Sequence, residues 1–298
     1  MSHDSSSNRR GILAMLAAVM LFALMDSCMK LLAPHYPAMQ VTALRGLCSL
    51  PLVCAWVLLD GGPRQLLRVR WSLHLLRGVL AVLMLAAFVF ALKYMPLAEA
   101  YSLFFVAPLL ITALAVPLLG EHVGWRRWCA IAVGLAGTVV VLRPSVVGMV
   151  SIGGLAVLGA ALAYALSAIA VRVLGRSDST QSMVFWLLLM LSVFATVTAW
   201  PHWLPLQRAH WPVLAVLGVT GALGQWGITE AFRRSPASVI APLEYTALGW
   251  GLGLDWLLWG TRPDREMLAG AAIIVLAGLY LLRRERAAKA QPGDASKG

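Results

Sequence analysis

Apolar residues run along this chain in long blocks, not in the alternation of a strand or the narrow stripe of a soluble helix. Blocks near 11–32, 38–59, 75–92, 97–119, 125–142, 152–173, 180–200, 211–232, 237–259 and 266–282 each approach or reach the span of a bilayer-crossing helix, which needs roughly 17–25 residues. The polar stretches between them are short and leave no room for a soluble catalytic domain. Residues 1–10 and 283–298 read as disordered polar tails. The pattern predicts an all-α integral membrane protein with ten transmembrane helices.

The blocks also repeat. Phe22-Ala23-Leu24 with Lys30-Leu31-Leu32 returns as Tyr164-Ala165-Leu166 with Arg172-Val173-Leu174. Ala91-Leu92-Lys93 with Pro96 returns as Ala231-Phe232-Arg233 with Pro236, and Leu135-Ala136-Gly137 as Leu276-Ala277-Gly278. Each half, 11–142 and 152–282, holds five blocks. An odd-numbered unit copied head to tail across a bilayer places its second copy upside down. Two inverted five-helix repeats are an architecture of secondary transporters.

Charge fixes an orientation. The net charge is +11, which by itself invites a nucleic-acid partner. With ten spans, however, Arg9, Arg10, Arg64, Arg68, Arg70, Arg77, Arg126, Arg127, Arg172, Arg176, Arg233, Arg234 and the basic C-terminal tail fall on one side. The other side holds only Lys93, Arg143, Arg208, Arg262 and Arg265. This asymmetry follows the positive-inside rule, so both termini are expected in the cytoplasm and no nucleic-acid partner is expected. Composition agrees: 60% of residues are hydrophobic, 12% are charged, and the mean hydropathy is +0.79. Arg9-Arg10 before an apolar run resembles a signal peptide, but no small-residue cleavage site follows, and the run reads as an uncleaved first span. Cys28, Cys48, Cys54 and Cys129 all lie in predicted spans without a CxxC, and His35, His202 and His210 lack ligand spacing. Neither a disulfide framework nor a metal site is expected, and no cofactor is implied.

Several longer strings carry a family likeness. Met95-Pro-Leu-Ala-Glu-Ala-Tyr101 opens the fourth block, Leu118-Leu-Gly-Glu-His122 closes it, and Trp125-Arg-Arg-Trp128 leads to Gly134-Leu-Ala-Gly137. In the second half, Val239-Ile-Ala-Pro-Leu-Glu-Tyr-Thr246 leads to Trp259-Gly-Thr-Arg-Pro263 and the Gly270–Gly278 run. Over about residues 11–283 the chain resembles the two EamA-type repeats of the drug/metabolite transporter superfamily, ten-span carriers of the bacterial inner membrane. That resemblance implies a secondary active transporter moving a small polar or amphipathic metabolite by alternating access. Export of an amino acid, an amino-acid derivative or an opine-like metallophore is the favoured implication; import of riboflavin, S-adenosylmethionine or a similar compound is the alternative. A reading from another class, an intramembrane lipid-modifying enzyme, would need acids or histidines clustered at one face, whereas here the acids are scattered. The chain departs from the family pattern once: Glu121 is the usual acid, but Thr261 stands at the matching place in the second repeat. Glu121 is expected to clasp a cytoplasmic loop near Arg126 and Arg127.

Ionisable residues inside spans cost roughly 2.5–3.5 kcal/mol on insertion scales and mark candidate sites. Asp26 and Arg45 lie at matching depth on the first two spans, about 9–10 Å from the periplasmic face at 1.5 Å per residue. They read either as a fixed ion pair or as a charge site for substrate or a coupling proton, with Lys30 one turn above Asp26. Glu244 lies about 10 Å from the cytoplasmic face, between Pro242 and Tyr245. A proline there frees a carbonyl and permits bending, so Glu244 is the sharpest candidate for binding a cationic group or a proton. Trp226 and Trp250 read either as lipid-facing or helix-packing rings or as candidates to line a cavity with Tyr101, Phe104, Tyr164 and Tyr245, whose ring faces suit amphipathic or cationic metabolites. Glu230, three and four residues before Arg233 and Arg234, reads as an interfacial ion pair. Glu99 suits a helix N-terminus, and Asp255 beside Trp256 and Trp259 suits the membrane interface. Gly218, Gly221, Gly224 and Gly227 would let another helix approach closely. The expected partners are a small-molecule substrate, a coupling proton and membrane lipid.

Overall fold

A computed structural model describes residues 2–59, 62, 64–67, 69–91, 103–121, 123–125, 128–129, 131–133, 135–136, 152–260, 265, 272–273 and 276. Its main elements are α1 (Ser2–Leu32), α2 (Ala38–Leu59), α3 (Arg64–Leu67), α4 (Trp71–Ala91), α5 (Ala107–Leu119), α6 (Ile152–Leu174), α7 (Thr180–Ala199), α8 (Trp211–Arg234), α9 (Ala237–Ile240) and α10 (Thr246–Trp259). Among the described residues there is no strand. Five helices are long and apolar enough to cross a membrane, and Trp71–Leu85 and Ala107–Leu119 are shorter apolar stretches. Most of the predicted spans 125–142 and 266–282, the C-terminal tail, and Glu99, Tyr101 and Thr261 lie outside the described residues.

Two boundaries differ from the sequence reading. Residues 2–10 continue α1 and are not a separate coil, because lengthening a helix that an apolar run has already nucleated costs little. The block 237–259 is interrupted: α9 gives way to a 3-10 segment at Ala241–Tyr245 before α10 begins. Pro242, which has no N–H to give to the helix, sits at the start of that segment.

The packing maps onto itself when the halves are exchanged. α1 lies along α8, and its counterpart α6 lies along α4; α1 also meets α10, as α6 meets α5; α2 and α7, counterparts of each other, pack together. Single contacts repeat as well. A Cβ at Gly218 of α8 would meet the Cys48 backbone carbonyl oxygen of α2 at 2.6 Å. A Cβ at Gly78 of α4 would run into Met190 Sδ of α7. Gly218 and Gly78 are matching positions of the repeat, as are Met190 and Cys48. Small residues thus set the helix spacing in both halves, by the mechanism that lets backbones approach in lipid. Along α8 the glycine stripe continues, with Gly221 against Ser49, Gly224 against the Phe22 ring and Gly227 against Ala18.

Loop contacts join segments that the charge pattern puts on the same side. On the predicted cytoplasmic side, Ser182 Oγ donates to Gln65 O at 2.8 Å, and Trp186 Nε1 donates to Leu66 O at 3.0 Å. On the opposite side, Gln40 exchanges two hydrogen bonds with the Leu204 backbone, at 2.7 and 2.9 Å. There Tyr36 Oη lies 2.8 Å from His210 Nδ1, and the His35 and His210 rings stand 4.5 Å apart.

The strongest loop anchor is Asp178, between α6 and α7. It is buried and takes hydrogen bonds from the Arg70 N–H at 3.1 Å, from Ser177 Oγ at 2.6 Å and, at 2.8 Å, from His74 Nε2. Burial pushes its carboxyl up, but the hydrogen bonds from Ser177, the Arg70 amide and His74 outweigh it and hold the group below its ordinary value. A native value below the unfolded one means the stabilisation is fully present above the unfolded value, near 3.9, and fades as pH falls through the lower native value. Asp178→Asn should therefore lower the unfolding temperature in detergent at neutral pH. The gap to the unsubstituted protein should narrow below about pH 4. A gap that stays constant down to pH 3 would show that the charge of Asp178 is not what anchors the loop.

Candidate functional site

The interruption in the ninth block places a carboxylate where a regular helix would not. Glu244 lies on the 3-10 segment, half-buried, and accepts a hydrogen bond from Tyr164 Oη of α6 at 2.9 Å. Tyr164 in turn faces the Phe104 ring at 5.7 Å, and Phe104 meets Phe88 edge-on at 5.7 Å. Tyr245 is 2% exposed and packs near Phe105 at 6.1 Å. Its hydroxyl has no hydrogen-bond partner among the described residues. Ring contacts from α4, the turn before α5, α6 and the broken ninth block thus lead to one acid and to the tyrosine that follows it. Both halves contribute.

The second centre lies toward the other face. Asp26 is exposed on α1, and the Arg45 charge on α2 reaches it. The Arg45 guanidinium also stands 5.6 Å from the centroid of Phe22, one turn before Asp26 on α1. Lys30, one turn beyond Asp26, reaches away: its Nζ lies 4.1 Å over the Trp259 ring at the end of α10. Taking a hydrocarbon core about 30 Å thick, Asp26 and Glu244 are separated by about 10 Å along the membrane normal.

Not every predicted residue joins these centres. Trp226 is 40% exposed and shares the outward face of α8 with the exposed Val219 and Leu223, at helical spacing. Trp250 is 44% exposed on α10. Among the described residues neither makes a ring contact with the cluster at Glu244. Tyr101 lies outside the described residues, and so does the side chain of Asp255. Two shallow apolar grooves, of about 490 and 420 Å³, lie elsewhere: one on α7 around Val193, the other near Cys48 and Trp211. Their surfaces suit lipid chains better than a polar cargo.

Glu230 is a fixed structural acid. It is buried, accepts from Thr180 Oγ1 at 2.5 Å and pairs with Arg233 at 3.3 Å and with Arg234. Arg77, which the charge pattern uses only for orientation, has a structural role. It is 2% exposed, and its Nη1 donates to Met183 O at 3.1 Å, so it ties α4 to α7. Glu121 is among the described residues, while the arginines expected for it, Arg126 and Arg127, are not. It receives the N–H groups of Ala237 and Ser238 at 2.9 and 3.1 Å and the Ser238 hydroxyl at 2.7 Å. Its target, the first turn of α9, belongs to the other repeat.

The profile of the EamA-like transporter family matches residues 9–143 and 151–284. A riboflavin transporter of Vibrio cholerae is 30% identical over 280 residues, covering 93% of this chain and 94% of the relative. A pseudopaline exporter of Pseudomonas aeruginosa is 26% identical over 279 residues, with 93% and 98% covered. An S-adenosylmethionine uptake transporter of Rickettsia felis is 29% identical over 227 residues, with 76% and 77% covered. A solved crystal structure superposes with a TM-score of 0.79 at 22% identity, covering 94% of this chain and 99% of the other, which supports the fold.

Proposed function

We propose how this chain works from the premise that it belongs to the EamA-like transporter family and is a multi-pass transporter of the inner membrane, not an enzyme. It is a secondary carrier with its central site at Glu244, opened to either face in turn as the two inverted halves rock about it. One observation carries this reading: a carboxylate on a helix break inside a span, held by a tyrosine of the same half that in turn packs against a ring of the other half.

The chemistry of the site suggests its cargo. A carboxylate beside ring faces attracts a cationic amine or a related group on a small metabolite. The Tyr245 hydroxyl, without a hydrogen-bond partner among the described residues, offers a further polar contact. Between cargo molecules, a proton on Glu244 would neutralise the buried charge, so a coupling proton fits the same place. Asp26 and Arg45 form a second polar station nearer the periplasmic face, able to meet a substrate carrying both charge signs. Both termini lie in the cytoplasm. This orientation is supported by the basic loops, and the assignment of loops to two faces by contacts such as Ser182 with Gln65 and Gln40 with Leu204.

Export of a small polar or amphipathic metabolite, of the amino-acid or opine-like class, is the favoured direction. Metabolite profiling of cells and medium, with and without the gene, tests cargo and direction together. A zwitterionic or cationic compound that accumulates in cells lacking the gene supports the reading. The same compound must then show counterflow in proteoliposomes without chemical change. Depletion of riboflavin or S-adenosylmethionine inside those cells would instead establish import, and lipid turnover without solute flux would sink the carrier reading.

A further inference from the structure

α5 ends in a turn that aims one side chain across the repeat boundary. Gly120 adopts the left-handed conformation, with φ 67° and ψ 25°, and its N–H bonds to Val116 O at 3.1 Å. That single bond from a left-handed residue one turn back is the αL form of helix cap, and the Glu121 N–H returns to Ala115 O at 3.2 Å. The chain leaves the helix abruptly, and the Glu121 carboxylate meets the first turn of α9, where it takes the three hydrogen bonds described above. Arg172, near the end of α6, approaches the same carboxylate at 3.8 Å and donates to Arg233 O at the end of α8 at 2.9 Å.

The position of this cluster matters more than its strength. α6 carries Tyr164, two turns above Arg172; α9 leads in seven residues to Glu244. The cluster therefore ties together, at one face, the two elements whose side chains make the central site. We propose that Glu121 is a positioning residue for transport: its carboxylate is the clasp of the cytoplasmic gate, and releasing Ala237 and Ser238 opens the Tyr164–Glu244 site to that face. This rests on the central-site reading given above.

The repeat supplies an internal contrast. Gly260 reproduces the turn at the end of α10, with φ 66° and its N–H on Trp256 O at 3.0 Å. The residue that follows is Thr261, with one hydroxyl in place of two carboxylate oxygens. Lys30, the counterpart of Arg172, stands over the Trp259 ring. The turn is copied and the acid is not, so the charged clasp belongs to one gate.

Side-specific cysteine labelling tests the clasp without knowledge of the cargo. In a background where Cys28, Cys48, Cys54 and Cys129 are replaced by alanine, an Ala247→Cys probe sits three residues past Glu244. It is reacted with a membrane-impermeant maleimide in inside-out and in right-side-out vesicles. Glu121→Gln should raise the labelling rate from one face only, on the order of tenfold for the loss of a charge-assisted contact, while Glu121→Asp should restore most of the original rate. Ser238→Ala, which removes only the hydroxyl contact, should give a smaller rise on the same face and serves if Glu121→Gln fails to insert. An unchanged rate, or an equal rise from both faces, would overturn the gate. The labelled face also tests orientation: a rise in inside-out vesicles places the clasp in the cytoplasm. Counterflow that survives in Glu121→Asp while the labelling pattern fails would overturn the clasp alone and leave the carrier reading standing.

Discussion

Glu244→Gln should reduce transport by on the order of 10–100-fold, the worth of a hydrogen-bonded charge, while the protein inserts and unfolds as before. The substitution is chosen for what it preserves. Glutamine has nearly the same shape, and its amide oxygen can still accept the Tyr164 hydroxyl, now held at 2.9 Å. Only the charge and the capacity to take a proton are removed, so a large loss of flux at normal abundance reports on charge recognition. Tyr164→Phe should give a smaller loss, because the acid stays and only its orientation loosens. Glu230→Gln is the informative contrast. Glu230 already holds Thr180, Arg233 and Arg234, so its replacement should lower the unfolding temperature while flux per folded molecule survives. Transport of labelled cargo normalised to detergent-stable protein separates the two effects. Equal flux in Glu244→Gln and the unsubstituted protein would remove Glu244 from the mechanism.

The second large effect is steric. Gly218→Ala should destabilise the folded protein by about 1–3 kcal/mol, the range for an overpacked contact. The added methyl would stand 2.6 Å from the Cys48 carbonyl oxygen and 2.9 Å from its carbon, and backbone cannot step aside as a side chain can. The repeat offers a graded series. At the matching Gly78 the obstacle is Met190 Sδ, the far end of a flexible side chain that can swing away, so Gly78→Ala should cost less. Gly159 on α6 has nothing within 4 Å, and Gly159→Ala should be neutral or slightly stabilising through helix propensity. Unfolding temperatures in one detergent should rank Gly159→Ala above Gly78→Ala above Gly218→Ala. A Gly218→Ala protein as stable as Gly159→Ala would mean that α2 and α8 are not held at the contact distance seen here.

Much of the scaffold can be read without coordinates, because the signals are local. A helix in hydrocarbon must be apolar along its length, so α1, α2, α6, α7 and α8 announce themselves as blocks. Glu244, Asp26 and Arg45 stand out because an ionisable group in such a block is costly. Pro242 marks the interruption because proline has no N–H to give to the ladder. The direction in which a side chain faces is another matter. In lipid both the inside and the outside of a helix are apolar, so periodicity does not separate them. Trp226 could be placed at a depth but not on a face, and it stands on the outward face of α8. Phe104 and Tyr164 were legible as aromatic candidates, yet no sequence signal tells which of the rings surround Glu244.

Partners across long stretches of chain were less legible still. Glu121 was recognisable as the acid of a repeated pattern, and a clasp was the natural expectation. The carboxylate crosses to Ala237 and Ser238, more than a hundred residues away. The left-handed turn at Gly120 decides that direction. Asp178 gave no hint of His74 and Arg70, since nothing local to an isolated loop acid reveals what will be folded against it.

The sequence by itself determined that this protein is a membrane-spanning repeat, which blocks are apolar enough to be candidate spans, and which charges within them are costly, since transfer from water to lipid acts on each segment separately. Only the tertiary structure decided which groups meet: Tyr164 with Glu244, Glu121 with the start of α9, Gly218 with Cys48, and Trp226 with none of them. Those pairings depend on how helices rotate and approach, which is governed by packing between surfaces that are all apolar and that hydropathy cannot tell apart.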